Sequence, residues 1–420
     1  MNKIVVLDGG LRLVVSENPV VRSVAIGVFV GAGSVCESPE QSGISHLIEH
    51  MVFKGTENRT AFDIVNETDS IGAQINAFTS KSSTCFYTVS QDIHADKCAE
   101  VLADMYFNPK FAADDLDKER KVVLEELSES EDTPDDICME KLSSAFYKGH
   151  PLEKNILGTR KTLKSIAADD LRAYKNKYYV PSNTVISVAG NITAERAAEL
   201  VKKYFVRGTE EAARSPRTPL EKAPMDGHFA HKKKEIEQAH IAFGFPGVAY
   251  NTPESLTARV LASVFGTEMS SRLFQSVREK LGLCYSIVGY PSSYENNGCF
   301  IVYTSTNPQS VAAAVKAIRE EILLLLADGI TEEELKKGKE QIKTALVLGQ
   351  ESTSAMMRAF GRHALQTGEL YEIDEQIAEI DAITCGDVLE LARSIFDFDR
   401  VSSSFVGAEI VNIHKLIKGQ

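Results

Sequence analysis

The chain has 420 residues, of which 43% are hydrophobic and 25% are charged, so it is long enough to form two or more domains with cores of their own. It carries 46 basic and 59 acidic residues, a formal net charge of −13, which argues against a nucleic-acid partner. The sequence shows no apolar run long enough to span a bilayer, so we expect no membrane partner.

The first residues predict the beginning of a folded domain. Residues 1–15 have the pattern of two β-strands around a turn at Gly9-Gly10. The same stretch lacks the apolar region and the small-residue cleavage site of a signal peptide. The seven cysteines are odd in number and form no C-x-x-C pair, which favours reduced thiols. We therefore expect a cytoplasmic protein.

The segment His46-Leu47-Ile48-Glu49-His50 has the spacing of a metal-binding helix. Because a helix repeats every 3.6 residues, imidazoles four positions apart share one face and can bind one ion. Glu49 lies close enough to take a proton from water on that ion. This order of residues is the inverzincin signature, the reverse of the zincin motif. The alternative is a polar helix face with two ordinary histidines.

Catalytic zinc usually takes three protein ligands, so a further ligand is needed. A second helical pattern, beginning at Glu119, is rich in carboxylates. Glu119 and Glu126 are seven residues apart and point the same way, so one can bind metal while the other orients a histidine. An acidic, solvent-facing helix is the alternative. Spacing alone leaves four candidate ligands open: Glu119, Glu125, Glu126 and Glu129.

Three segments together resemble one family of peptidases. They are residues 43–56, residues 76–80 with the sequence NAFTS, and residues 119–126. Over nearly the whole chain the pattern resembles the pitrilysin-type metallopeptidases, and most closely the mitochondrial-processing-peptidase-like proteins of bacteria. In that family the third ligand lies 76 residues beyond the second histidine, and this position is Glu126 here.

The resemblance implies a role for each residue of the metal site. It implies one zinc ion per chain, held by His46, His50 and Glu126. Glu49 matches the general base of the family, and Glu119 matches its supporting glutamate. Because all of these residues are present, the resemblance argues against an inactive relative.

The resemblance also implies where a peptide binds. Asn76, Ala77 and Phe78 match an edge strand that pairs with an extended substrate, and such backbone pairing accepts many sequences. An ordinary strand with a polar turn residue is the alternative there. Arg278 and Tyr285 match a C-terminal pair that holds the substrate and stabilises the oxyanion. Without the resemblance, these two are an ordinary helix arginine and an ordinary strand aromatic residue.

The two halves of the sequence repeat each other at a nearly constant offset. Residues 25–31 match residues 241–247 at an offset of 216, and residues 85–90 match residues 300–305 at an offset of 215. Amphipathic helices are predicted after the later strand of each half, at 95–107 and at 309–326. This repetition predicts a duplicated α+β domain.

The domain boundaries follow from the repeat. Residues 1–208 form the predicted zinc-binding domain, 209–224 a linker and 225–420 the second homologous domain, because 207–219 is polar and lacks periodicity. The second domain has lost the metal motif, since its equivalent region is the segment from Leu256 to Leu261. The resemblance implies that both domains are ferredoxin-like and that one chain forms half of a clam shell.

Together these features predict a zinc-dependent endopeptidase that hydrolyses peptides or unfolded segments inside a closed chamber, with Glu49 as general base. Since the chain carries both the metal ligands and the Arg278–Tyr285 pair, we expect a homodimer with composite sites. A heterodimer with an inactive relative is the alternative assembly. The alternative function is a catalytically silent peptide-binding or structural subunit of the same fold.

Overall fold

The computed structural model describes residues 2–207, 217–250 and 252–420, and it divides into two compact units. Unit 1 consists of Met1–Leu127, Lys154–Thr218 and Leu348–Tyr371. Unit 2 consists of Ser128–Glu153, Pro219–Val347 and Glu372–Gln420. Each unit combines one β-sheet with helices around its own buried core, so the predicted α+β class is confirmed.

The described residues contain the following strands: β1 Asn2–Val6, β2 Arg12–Glu17, β3 Ser23–Val30, β4 Gln74–Thr79, β5 Thr84–Gln91, β6 Thr184–Gly190, β7 Phe229–Lys233, β8 Ala239–Pro246, β9 Cys284–Tyr294, β10 Asn297–Thr306 and β11 Ser402–Gly407. Their α-helices are α1 Ile44–Met51, α2 Ala61–Asp69, α3 Ala95–Phe107, α4 Ala113–Asp132, α5 Pro134–Phe146, α6 Arg160–Ser165, α7 Ala168–Tyr178, α8 Ala194–Phe205, α9 Glu254–Ala262, α10 Val311–Asp328, α11 Glu332–Gly349, α12 Thr353–Thr367, α13 Ile373–Ala382, α14 Cys385–Ile395 and α15 Ile413–Lys418. None of these helices is both long and apolar enough to cross a membrane.

Several predicted elements are confirmed at or near their predicted positions. The strands β1 and β2 flank a turn in which Gly9 and Gly10 both have positive φ, as a glycine turn permits. The helix predicted at 95–107 is α3, and the helix predicted at 309–326 is α10, which begins and ends two residues later. Of the predicted linker, residues 209–216 lie outside the described residues, and residues 217–224 contain no helix or strand.

The two sheets repeat one topology. Unit 1 has the strand order β1-β2-β6-β3-β5-β4, and unit 2 has the order β7-β11-β8-β10-β9. The pair β2–β6 in unit 1 and the pair β7–β11 in unit 2 are both parallel. All later pairs in each strand order are antiparallel. Phe29 pairs with Cys85 in unit 1, and Phe245 pairs with Phe300 in unit 2. These partners differ by the predicted offsets of 216 and 215, so the register itself is duplicated.

Each unit also contains one helix from the other half of the sequence. Helix α5 packs on β7, β8 and β11 in unit 2, and helix α12 packs on β2, β3 and β6 in unit 1. Ser404 Oγ donates a hydrogen bond to the Cys138 carbonyl at 2.7 Å, and Ser187 Oγ donates to the Met357 carbonyl at 2.8 Å. The predicted domains follow the sequence repeat, whereas the compact units follow packing, and the two divisions differ by these exchanged helices.

Candidate metal centre

Helix α1 places an apolar face in the core of unit 1 and keeps a polar face for the metal motif. His46, Glu49 and His50 share the polar face because their spacing follows the helical repeat. Each buried apolar side chain contributes about 1.5–3 kcal/mol to folding, so the rotation of the helix is fixed by its buried face. That face consists of four residues that are at most 1% exposed: Ile44, Leu47, Ile48 and Met51.

The start of α1 is defined by a glycine and a buried carboxylate. Gly43 has φ +95°, and a Cβ there would lie 2.9 Å from the Leu157 carbonyl oxygen, so only glycine fits without strain. The backbone N–H groups of Gly43 and Ser45 donate to the Glu37 carboxylate at 2.8 and 3.0 Å. Burial raises the pKa of Glu37 from its ordinary 4.5 to about 7, although these amides and Lys154 act in the opposite direction.

Helix α4 brings Glu126 to the two histidines of α1. Glu126 Oε2 lies 3.8 Å from His46 Nε2 and 3.5 Å from His50 Nε2. One ligand atom from each of these residues lies within 4.8 Å of the other two, and no other such group occurs in the part of the chain that the structure describes. Ligand atoms around tetrahedral zinc, at bond lengths of about 2.0–2.2 Å, are about 3.3–3.6 Å apart. The two distances from Glu126 are close to this spacing, so two imidazoles and one carboxylate fit a catalytic zinc ion here.

The two histidines have different surroundings. Burial lowers the pKa of His46 to about 4, and the nearby His50 adds to the effect, so His46 is neutral at pH 7, as a metal ligand must be. Its Nδ1 atom is buried and has no hydrogen-bond partner among the described residues. His50 Nδ1 lies 3.2 Å from Glu119 Oε2. Because a carboxylate only accepts, this contact keeps the proton of His50 on Nδ1 and directs Nε2 toward Glu126.

Glu119 has a second partner that sequence reasoning missed. Lys54 Nζ lies 2.7 Å from Glu119 Oε1, so the two oxygens of this buried carboxylate contact two different groups. Lys54 follows His50 by four residues, which repeats the interval between the two histidines. Lys54 lies three residues beyond the last residue of α1, however, so the helical repeat could not have identified this contact.

Glu49 is held by the end of strand β4. Thr79 Oγ1 donates to Glu49 Oε2 at 2.5 Å, and Thr79 is the last residue of the strand. Burial raises the pKa of Glu49, as does the nearby Glu126, whereas the Thr79 hydrogen bond and His50 lower it. The candidate general base is therefore tied to the strand that is predicted to bind peptide. The hydrogen bond from Thr79 to Glu49 was not predicted from the sequence.

Strand β4 lies at the edge of the unit 1 sheet, as predicted for a substrate strand. Asn76 is exposed, and its Oδ1 accepts a hydrogen bond from the Ala77 N–H at 2.7 Å. The ring of Phe78 packs inside the unit, with its centroid 6.3 Å from that of Phe29. Because side chains alternate along a strand, Asn76 and Phe78 lie on the face opposite Thr79. A peptide at this edge would contact the backbone of Phe78 and not its ring.

Arg278 and Tyr285 lie together in unit 2. Arg278 belongs to the π-helical segment Phe274–Lys280, and Tyr285, 78% exposed, lies near the start of β9. The Arg278 guanidinium carbon is 4.4 Å from the ring centroid of Phe274 and 5.2 Å from that of Tyr285. These are cation–π distances, so the guanidinium contacts both aromatic rings. The structure thus brings this pair together but assigns it to a different unit from the metal ligands.

Known proteins match both halves of this chain. The family model described as Insulinase (Peptidase family M16) matches residues 12–160, and that described as Peptidase M16 inactive domain matches residues 165–342. An uncharacterized zinc protease of Bacillus subtilis, YmxG, is 45% identical over 392 residues, which cover 93% of this chain and 95% of that protein. The chain belongs to peptidase family M16. The predicted pitrilysin-type resemblance is confirmed, because this is the same family.

Further similarities extend over nearly the whole M16 chain. An uncharacterized zinc protease of Streptomyces coelicolor, SCO5738, is 34% identical over 96% of this chain and 88% of that protein. The crystal structure of a protease from Helicobacter pylori superposes with a TM-score of 0.91 at 23% identity, covering 97% of this chain and 99% of that one. A peptidase M16 inactive domain from Pseudomonas fluorescens gives a TM-score of 0.90 at 17% identity, covering 98% and 99%. The fold is shared with both structures, and the family is proteolytic.

Proposed function

We propose that this M16 chain is a zinc-dependent endopeptidase that hydrolyses peptides or unfolded polypeptide segments. The observation that carries the proposal is the approach of ligand atoms from His46, His50 and Glu126 to within 4.8 Å, with Glu49 on the same helix face. A three-ligand set leaves the fourth position of zinc for water and substrate, as hydrolysis requires. The names of the two zinc-protease relatives support the same reaction class.

The residues of the site have distinct tasks in this reaction. A bound zinc ion supplies Lewis acidity and makes water acidic enough to lose a proton near pH 7. Glu49 accepts the proton of the attacking water and delivers it to the leaving amine. The Thr79 hydroxyl binds one oxygen of that carboxylate and fixes its orientation. Glu119 holds the His50 ring so that Nε2 is available as a ligand.

Peptide binding would use the edge of the unit 1 sheet. An extended peptide can pair with β4 through its backbone, which would accept many sequences. The formal net charge of −13 favours basic peptides, although net charge contributes little to specificity. The Arg278 guanidinium would bind the substrate backbone, and the Tyr285 hydroxyl would stabilise the oxyanion.

We further propose a homodimer in which each site combines the metal ligands of one copy with Arg278 and Tyr285 of the other. Both sets occur in one chain, so two identical copies would be enough to supply two complete sites. The test mixes His50→Ala protein with Arg278→Ala protein. In a random equal mixture, half of the dimers are mixed and have one intact site of two, so about one quarter of the wild-type activity should return. Activity that never reappears at any mixing ratio would show the assignment to be wrong.

The decisive experiment for the reaction itself is elemental analysis combined with cleavage of a quenched basic peptide. The wild type is compared with Glu126→Gln and with the control Glu125→Gln, which alters the exposed neighbouring carboxylate. We expect about one zinc ion per chain in the wild type and the control, and loss of both zinc and cleavage in Glu126→Gln. Zinc without cleavage would favour a peptide-binding subunit, and a wild type without zinc would favour a structural one.

A further inference from the structure

Two rows of side chains face each other at the candidate metal centre. His46, His50 and Lys54 follow one another at intervals of four residues, and Glu126 and Glu119 lie opposite them on α4. Glu126 faces both histidines, and Glu119 faces His50 at 3.2 Å and Lys54 at 2.7 Å. Each carboxylate thus contacts two consecutive members of the other row. Lys54 is the last residue in this series of contacts.

The environment of Glu119 explains why a cation is needed next to it. Its side chain is 8% exposed, whereas that of Lys54 is 37% exposed. Removing a carboxylate from water is costly unless a positive group and hydrogen bonds compensate. The imidazole of His50 supplies a hydrogen bond, and the Lys54 ammonium supplies the charge. Without Lys54, the carboxylate would gain by rotating toward water, and His50 Nδ1 would lose its acceptor.

We propose that Lys54 is a positioning residue of the zinc site. Its ammonium group holds the Glu119 carboxylate in place, and Glu119 in turn fixes the His50 imidazole with Nε2 directed at the metal position. Lys54 is not itself a ligand and acts only through these two residues. This inference rests on the proposed function, because it requires that the site bind zinc.

The test measures the zinc dissociation constant of the full chain by competition with a chromophoric chelator. Lys54→Met should bind zinc about tenfold more weakly, since loss of a group that orients a ligand typically costs 10–100-fold in affinity. Lys54→Arg should remain within about threefold of wild type, because a guanidinium can also bind the carboxylate. The control Lys121→Met removes one positive charge from the exposed surface of α4 and should have no effect. Thermal unfolding of the zinc-free proteins checks that the variants are folded.

A double-mutant cycle separates positioning from a general structural effect. In a Glu119→Gln background, Lys54→Met should cause no further loss of zinc affinity, since Lys54 acts through the Glu119 carboxylate. An additive loss would overturn the inference, as would a Lys54→Met affinity within twofold of wild type or an equal loss in Lys54→Arg. A wild type that binds no zinc would overturn the proposed function together with the inference, so the two failures are distinguishable.

Discussion

The two units of this M16 chain share one sheet topology and one register but carry different chemistry. In unit 1, the helix after β3 is α1, whose polar face bears the metal motif. In unit 2, the helix after β8 is α9, which is mostly buried and has no histidine or glutamate between Leu256 and Leu261. The same scaffold therefore carries the candidate metal ligands in one unit and not in the other, because these ligands depend on a few residues of one helix face.

A second contrast concerns one glutamate in each unit. In unit 1, Glu37 accepts hydrogen bonds from backbone amides, and burial raises its pKa to about 7. In unit 2, Glu334 forms a two-point ion pair with Arg272 at 2.7 and 2.8 Å, which lowers the pKa of Glu334 to about 2. Glu37 is 3% exposed, so the cost of burying its charge exceeds what the amides return, whereas Glu334 is 28% exposed and pairs with a full positive charge, and these differences reverse the sign of the pKa shift.

The largest effect is expected for helix α1 of unit 1, which carries the proposed general base. Glu49→Gln removes the proton acceptor but leaves all three ligands in place, so cleavage of a quenched basic peptide should fall by about 10²–10⁴-fold. Zinc content should stay at the wild-type level, in contrast to His46→Ala, which loses a ligand. A Glu49→Gln protein with normal turnover would contradict the proposed mechanism.

A smaller effect is expected for a substitution in unit 2, which tests whether this unit contributes to the reaction although it carries none of the candidate metal ligands. Arg278→Ala should lower cleavage by about 10²–10³-fold, the usual cost of losing one transition-state contact, and should leave zinc content unchanged. The control is Arg259→Ala, a change of the same charge on α9. If Arg278→Ala cleaves normally, the contrast between the units is sharper than proposed, because unit 2 then contributes no chemistry.

The contributions of Glu334 and Glu37 to stability should depend on pH with opposite signs. The pKa of Glu334 is lowered from 4.5 to about 2, so its stabilising contribution is present above pH 4.5 and is lost as the pH falls through 2. The pKa of Glu37 is raised from 4.5 to about 7, so its contribution is present below pH 4.5 and is lost as the pH rises through 7.

Calorimetric melting temperatures of Glu334→Gln and Glu37→Gln, each compared with wild type, measure these contributions. The difference in melting temperature between wild type and Glu334→Gln should narrow as the pH is lowered from about 6 to about 3.5. The difference between wild type and Glu37→Gln should narrow as the pH is raised from about 5 to about 8. Differences in melting temperature that both widen or both narrow as the pH rises would contradict the assigned causes.

The smallest effect is expected for substitutions that test whether helices α5 and α12 are held in equivalent ways. Ser187→Ala and Ser404→Ala each remove one buried hydrogen bond to the backbone of α12 or α5, and Ser404→Ala also removes the contact of its Oγ with Cys138 Sγ at 3.2 Å. Each should lower the free energy of unfolding by about 1 kcal/mol, as expected for a single neutral hydrogen bond. Urea unfolding should show similar losses for both, and a loss in only one would mean that the two contacts are not equivalent.

The sequence determined the features that depend on local spacing. The interval of four between His46 and His50 follows the helical repeat, and α1 presents both on one face. The offsets of 216 and 215 predicted which strands correspond, and the observed register agrees. Helices and strands impose fixed periods on their side chains, so such features can be identified before any tertiary contact is known.

Only the tertiary structure decided which distant residues meet. Spacing left four glutamates open as a third ligand, and it is the packing of α4 on α1 that brings Glu126 to the histidines and Glu119 to Lys54. Thr79 became a partner of Glu49 through the position of β4, and the exchange of α5 and α12 was not predicted at all. These contacts join segments far apart in the sequence, where no helical or strand period relates one residue to the other.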